Sequence, residues 1–119
     1  ADALAMRGGL MLSSGKDERA AKDLEAALAI NPRHEAALVN RGHLKVRARQ
    51  FPEAMQDYEA VLAANPANAE ALYGRGVIRA VTGRTTDGNA DMLQAVTIDT
   101  SVDGRLAALG VTTVPKPNP

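Results

Sequence analysis

Residues 35–68 read EAALVNRGHLKVRARQFPEAMQDYEAVLAANPAN, and the residues before and after them read as further copies of the same unit. Laid over residues 1–34 without a gap, the stretch is identical at 13 of 34 positions, where chance at this alanine content gives about three. With residues 69–102 as a third copy, Gly8, Gly42 and Gly76 share one column and Leu4, Leu38 and Leu72 another, while Asn31-Pro32 falls on Asn65-Pro66. A period of this length is the mark of a stacked repeat whose core is buried between neighbouring units.

Within each copy the apolar residues keep helical spacing. In the first, Ala3, Leu4, Leu10, Met11 and Leu12 run up to Ser13-Ser14-Gly15, which reads as a stop and a tight turn. A second amphipathic stretch from about Asp17 to Ile30, with Ala20, Leu24, Ala27 and Leu28 on one face, closes at Asn31-Pro32. The second copy repeats this hairpin. Pro52 suits the first turn of its second helix, where the missing N–H is not needed, and Phe51 is expected just outside that helix as a staple. In the third copy Gly88 stands where Ala20 and Ala54 stood. It costs about 1 kcal/mol against alanine in a helix, so this end is expected to fray. A truncated fourth copy from Asp103 to Gly110 is expected to cap the apolar end through Leu106 and Leu109, and its removal to uncover Leu93 and Val96. Residues 111–119, with three prolines, read as an extended tail.

The glycine, small-residue and proline columns of this 34-residue unit resemble those of the tetratricopeptide repeat family. Gly8, Gly42 and Gly76 hold that family's glycine column, Ala20 and Ala54 its first alanine column, Ala27 and Ala95 its second, and Pro32 and Pro66 its proline. Leucine stands in place of the family's tryptophan, Arg7, Arg41 and Arg75 in place of the leucine before glycine, and Met11, Lys45 and Arg79 in place of its tyrosine. The resemblance implies an all-α fold: a right-handed superhelical solenoid of three antiparallel hairpins (1–34, 35–68, 69–102) with a capping helix at 103–110, together forming one domain over residues 1–110. The glycine column has a packing reason of its own, since small residues let two helices approach closely, and Gly8 is expected to face Ala20 across the first hairpin. Gly74-Arg75-Gly76 is no phosphate loop, because it lies inside a helix with no strand before it.

Composition narrows the function. Fourteen basic and fourteen acidic residues balance, and the first two copies each balance individually, so neither nucleic acid nor an anionic membrane is an expected partner. No apolar run approaches a membrane span and no charged-then-apolar leader is visible, so the chain reads as soluble. Its start at Ala1 fits a processed chain or a piece of something longer. The absence of cysteine suits a reducing or an oxidising compartment equally; a cytoplasmic location is slightly preferred, with periplasmic or secreted open.

No catalytic or cofactor chemistry is legible, and no enzyme is expected. His34 and His43 lie apart, no carboxylate cluster joins them at metal-ligand spacing, and Ser13, Ser14 and Ser101 sit at helix ends or linkers. Asp17, Glu18 and Glu25 read as a solvated helix face. The recurring polar feature is Arg7, Arg41 and Arg75, each followed sixteen residues later by Asp23, Asp57 and Asp91. That spacing predicts a salt bridge across each hairpin, with an Asp23–Arg41 bridge between copies as the alternative.

In the family the first helices of successive repeats line a concave groove that holds a peptide or helix of a partner, and the resemblance implies this role here: a non-catalytic interaction scaffold. Self-association, or regulation of a larger protein, is the alternative. Helical spacing places Ala5, Met6, Gly9 and Leu12, then Val39, Asn40, His43 and Arg47, then Tyr73, Val77 and Ala80 on that face. Such a lining suits an apolar or amphipathic segment, with Tyr73 as anchor and Asn40 and His43 orienting its backbone. Some family members grip a free chain-terminal carboxylate with lysine, asparagine and arginine; those positions here hold Ala5, Gly9, Asn40, Glu70 and Gly74, so that clamp is not expected.

Overall fold

The structure, a computed structural model, describes residues 1–113. Seven helices and no strand occur among them: α1 (Asp2–Ser13), α2 (Asp17–Ile30), α3 (Glu35–Arg47), α4 (Phe51–Ala64), α5 (Ala69–Val81), α6 (Thr85–Ile98) and α7 (Val102–Ala108). They pair as hairpins α1–α2, α3–α4 and α5–α6, stacked in order, with α7 against α5 and α6. The radius of gyration is 13.3 Å, close to the ~13.5 Å of a compact domain of this length.

The repeat governs the backbone as well as the side chains. The turns after α1, α3 and α5 each pass through one residue with left-handed φ, Gly15 at 74°, Arg49 at 62° and Gly83 at 100°. The next N–H reaches back to the helix: Lys16 to the Met11 carbonyl, Gln50 to Lys45 and Arg84 to Arg79, all at 2.7–2.8 Å. This is the glycine-type helix stop, made once with arginine, whose guanidinium then lies over the Phe51 ring. Phe51 is therefore the first residue of α4 rather than a staple outside it. At the hairpin junctions His34 Nδ1 and Asn68 Oδ1 cap α3 and α5 by accepting from the N–H of Ala37 and Ala71.

All three expected Arg–Asp bridges form within hairpins, and each is bidentate. Arg7 donates to Asp23 at 2.9 and 2.7 Å, Arg41 to Asp57 at 3.0 and 2.8 Å, and Arg75 to Asp91 at 3.0 and 3.0 Å. These bonds hold the Asp23 carboxyl below its ordinary range and the guanidinium of Arg41 above its own. The bridge between copies runs from Arg41 Nη1 to Glu25, at 3.1 Å, instead of to Asp23. Glu25 and Asp17, which pairs with Arg47, are thus more than a solvated face. Lys45 and Arg79, in the column where the family carries tyrosine, supply second cations to Asp57 and Asp91.

The glycines show how tightly the stack closes. A Cβ on Gly8 would lie 2.8 Å from Leu24, so the residue faces a leucine rather than Ala20. Tyr58, fully buried, has its ring against Gly42 of its own hairpin and Gly74 of the next, and a methyl group at either position would overlap it. Gly88 also has a packing role. Helix α6 runs unbroken from Thr85, and a Cβ on Gly88 would stand 2.5 Å from the Gly76 carbonyl oxygen and 2.7 Å from the Ala80 nitrogen. The two glycines let α5 and α6 meet backbone to backbone.

The C-terminal end differs from expectation at two points. Leu93 is 70% exposed with the cap in place, so it is not what the cap covers. After α7 the chain turns at Gly110, φ 84°, and the Val111 N–H returns to the Leu106 carbonyl at 2.8 Å. Val111 is fully buried in the core instead of opening a tail. Residues 114–119 of the expected tail lie outside the described residues.

Candidate functional site

The residues expected to line the concave face separate into two groups. Ala5, Leu12, Val39, His43 and Val77 are buried. They belong to the contacts between adjacent helices, and a partner cannot reach their side chains without parting those helices. Met6 is 70% exposed, while Gly9, Asn40, Arg47, Tyr73 and Ala80 are half-buried.

His43 is committed to the interior. Its Nε2 lies 3.0 Å from Glu70 Oε1 and its Nδ1 2.7 Å from the Tyr58 hydroxyl. A carboxylate can only accept, so Nε2 carries the proton and Nδ1 accepts from Tyr58. Arg105 of α7 extends the chain to the other Glu70 oxygen, at 3.5 Å. The hydrogen bond from His43, with Arg105 adding its charge, holds the Glu70 carboxyl below its ordinary value, while burial pushes the Tyr58 hydroxyl well above its own. The network ties α4, α3, α5 and α7 together and commits both Glu70 oxygens to internal partners, while Gly74, another of the carboxylate-clamp positions, is buried.

Arg47 is also spoken for. It donates to the carbonyl of Leu12 at 3.2 Å, to Asp17 at 2.6 Å and to the Leu109 carbonyl at 2.9 Å. A cleft of about 380 Å³ lies here between the first turn and the end of α7, with Leu12, Gly15, Asp17, Arg47 and Leu109 among its walls. The chain's own C-terminal segment thus closes one end of the face. Tyr73 stands beside α7, where burial first and the nearby Asp103 second raise the pKa of its hydroxyl.

What remains open is Met6, Gly9, Asn40 and the outer edge of Tyr73. The absence of a side chain at Gly9 makes room for Asn40, whose Nδ2 is 3.0 Å from where a Gly9 Cβ would be. The Asn40 amide makes no hydrogen bond among the described residues. Two donors and an acceptor are therefore presented on the first-helix face without an internal claim on them. Tyr58, Glu70 and Arg105, which organise the face from beneath, were not legible as a set. The signal was the tyrosine standing in a column with Leu24 and Met92, one polar oxygen in an otherwise apolar core column.

Among the described residues no helix is long and apolar enough to cross a membrane, and no group of three or more histidine and carboxylate side chains is placed to hold a metal ion. A family model described as tetratricopeptide repeat matches residues 39–101. A search of curated proteins found no match.

Proposed function

Because the chain belongs to the tetratricopeptide repeat family, whose repeats generally mediate protein–protein interaction, we propose that it is a non-catalytic scaffold holding a peptide or helix of a partner on the open part of its first-helix face. The observation that carries this reading is Asn40. A half-buried amide with no hydrogen-bond partner among the described residues, seated over Gly9, is a ready hydrogen-bonding site for an extended or helical backbone. Tyr73 supplies the aromatic anchor, and Met6 an adaptable apolar contact. The buried members of the face, His43 above all, serve by fixing the helices that present these groups.

The test is a photo-crosslinking amino acid placed at Asn40, at Tyr73 and, as a control, at exposed Glu59 of α4. Adducts at the first two positions and none at Glu59 are expected. Asn40→Ala should weaken the captured complex by about tenfold without lowering the unfolding midpoint, and Tyr73→Ala should weaken it by about tenfold while also lowering the midpoint, because the ring packs on the core. Val39→Asp is no use for this purpose, since Val39 is buried and its charge would unfold the domain. Adducts forming equally from Glu59, or both variants binding normally, would move the site off this face.

A further inference from the structure

Between the first and second hairpins, two columns of the repeat hold less apolar bulk than their copies do. Ala21 of α2 stands where α4 carries Met55, and Asp17 where α4 carries Phe51. At the junction of α4 and α5, Phe51 and Met55 pack against the core, and Ile78 of α5 is 3% exposed. Leu44 of α3, in the column of Ile78, is only half-buried. A cleft of about 360 Å³ lies here between α2 and the end of α3, with Glu18, Ala21, Leu44 and Ala48 among its walls. Gly9, Asn40 and Tyr73 of the first-helix face do not line it.

The surface of this cleft is predominantly apolar, and nearly all the charge around it is already satisfied. Arg41 is held by Asp57 and Glu25, and Lys45 by Asp57. Asp17 is paired with Arg47 at 2.6 Å. That leaves Glu18, exposed and the one lining carboxylate with no ion pair among the described residues. The charge still to be met at the cleft is a single negative one.

We infer that this cleft is a binding site separate from the first-helix face, and that its occupant is a long apolar side chain of a partner polypeptide, methionine or phenylalanine, with a lysine or arginine next to it that meets Glu18. The repeat specifies the chemistry. In the columns of Ala21 and Asp17, the junction of α4 and α5 is supplied with a methionine and a phenylalanine from within the chain, and the cleft at α2 takes the equivalent group from outside. Methionine, with its rotatable bonds, fills irregular gaps between helices well. A cation at exposed Glu18 adds selectivity more than affinity.

The probe is the blocked dipeptide acetyl-Met-Lys-amide, titrated to about 10 mM into the 119-residue protein while amide shifts are followed by NMR. Saturable shifts clustered at Ala21, Leu44 and Ala48 are expected, and none from acetyl-Gly-Lys-amide. Ala21→Met, which gives α2 the residue that α4 has in this column, should fill the cleft and weaken the probe by about tenfold or more with the circular dichroism spectrum unchanged. Glu18→Gln should weaken acetyl-Met-Lys-amide by about threefold and leave acetyl-Met-Gln-amide unaffected. Because Glu18 is exposed, that arm stands whatever Ala21→Met does to packing. An unsaturable response, affinity indifferent to either substitution, or shifts clustered on Asn40 and Tyr73 would overturn the inference. Crosslinking from Asn40 and Tyr73 tests the first-helix face alone, so the two sites stand or fall separately.

Discussion

Gly74 and Gly104 are both helical glycines, and a methyl group added to each has opposite consequences. At Gly74 it would overlap the Tyr58 ring, which is itself pinned by Gly42 and by the hydrogen bond to His43. Gly74→Ala is expected to cost about 1–3 kcal/mol by overpacking. At Gly104 it would meet nothing within 4 Å, and Gly104→Ala should stabilise by about 0.5–1 kcal/mol through the lost flexibility of the unfolded chain. Urea midpoints moving in opposite directions at unchanged slope would establish the pair. Glu70 carries the pH dependence at this scale. Its carboxyl is lowered from 4.5, first by the hydrogen bond from His43, so it binds fewer protons folded than unfolded. That contribution is fully present above the unfolded value and is lost as pH falls through the folded one. Glu70→Gln should therefore lower the melting temperature at neutral pH and flatten its decline below about pH 4.5, as thermal melts from about pH 3 to 7 would show.

Among the elements, α6 shows how packing overrides propensity. Counted alone, Gly88 weakens its helix by about 1 kcal/mol, and Gly88→Ala ought to help. Across the hairpin stands Gly76, with no side chain to yield, and the new methyl would meet backbone at 2.5 and 2.7 Å. Backbone cannot turn aside as a leucine can, so α5 and α6 would be forced apart. The substitution is expected to destabilise by about 1–3 kcal/mol, measurable by denaturation and by faster amide exchange in α6. In the column of Met11, Lys45 and Arg79, the two cations stand on Asp57 and Asp91, and Asp23 is buried like them. Met11 leaves Asp23 to Arg7 alone, in the hairpin whose arginine is most exposed.

For the molecule as a whole, α7 and the segment after it tie distant parts of the stack together. Helix α7 and Val111 cover the hairpin α5–α6, and Arg47 bonds the Leu109 carbonyl, 62 residues further along the chain, together with the Leu12 carbonyl at the end of α1. Val111→Ala should cost on the order of 1–2 kcal/mol, since a fully buried valine loses two of its methyl groups. Because α7 has only seven residues, that loss should appear first as faster amide exchange in α7 and at the Arg47 end of α3, before global unfolding. Equal protection in variant and parent would show that Val111 is not what holds the cap. On α1, at the other side of the stack, Met6 and Leu10 are exposed.

The repeat period, the seven helices, the stopping turns and the Arg–Asp pairs were legible in the sequence because each depends on residues within one 34-residue unit, and repetition writes each rule up to three times. The carboxylate sixteen residues from its arginine is such a rule, and Gly15 ending α1 another. Which residues of the first-helix face are open was decided by the tertiary structure. Val39 and Asn40 are neighbours on one helix, yet one is buried and the other free. The difference comes from how closely α1 and α5 flank α3, a distance set by Gly9, Gly74 and Tyr58 together. His43 reads as a surface histidine until Tyr58 and Glu70 arrive from two other helices. Val111 reads as tail until Gly110 turns it inward. Such outcomes depend on groups distant in sequence meeting at ångström precision, and helical periodicity assigns a residue to a face without fixing how near the next helix stands.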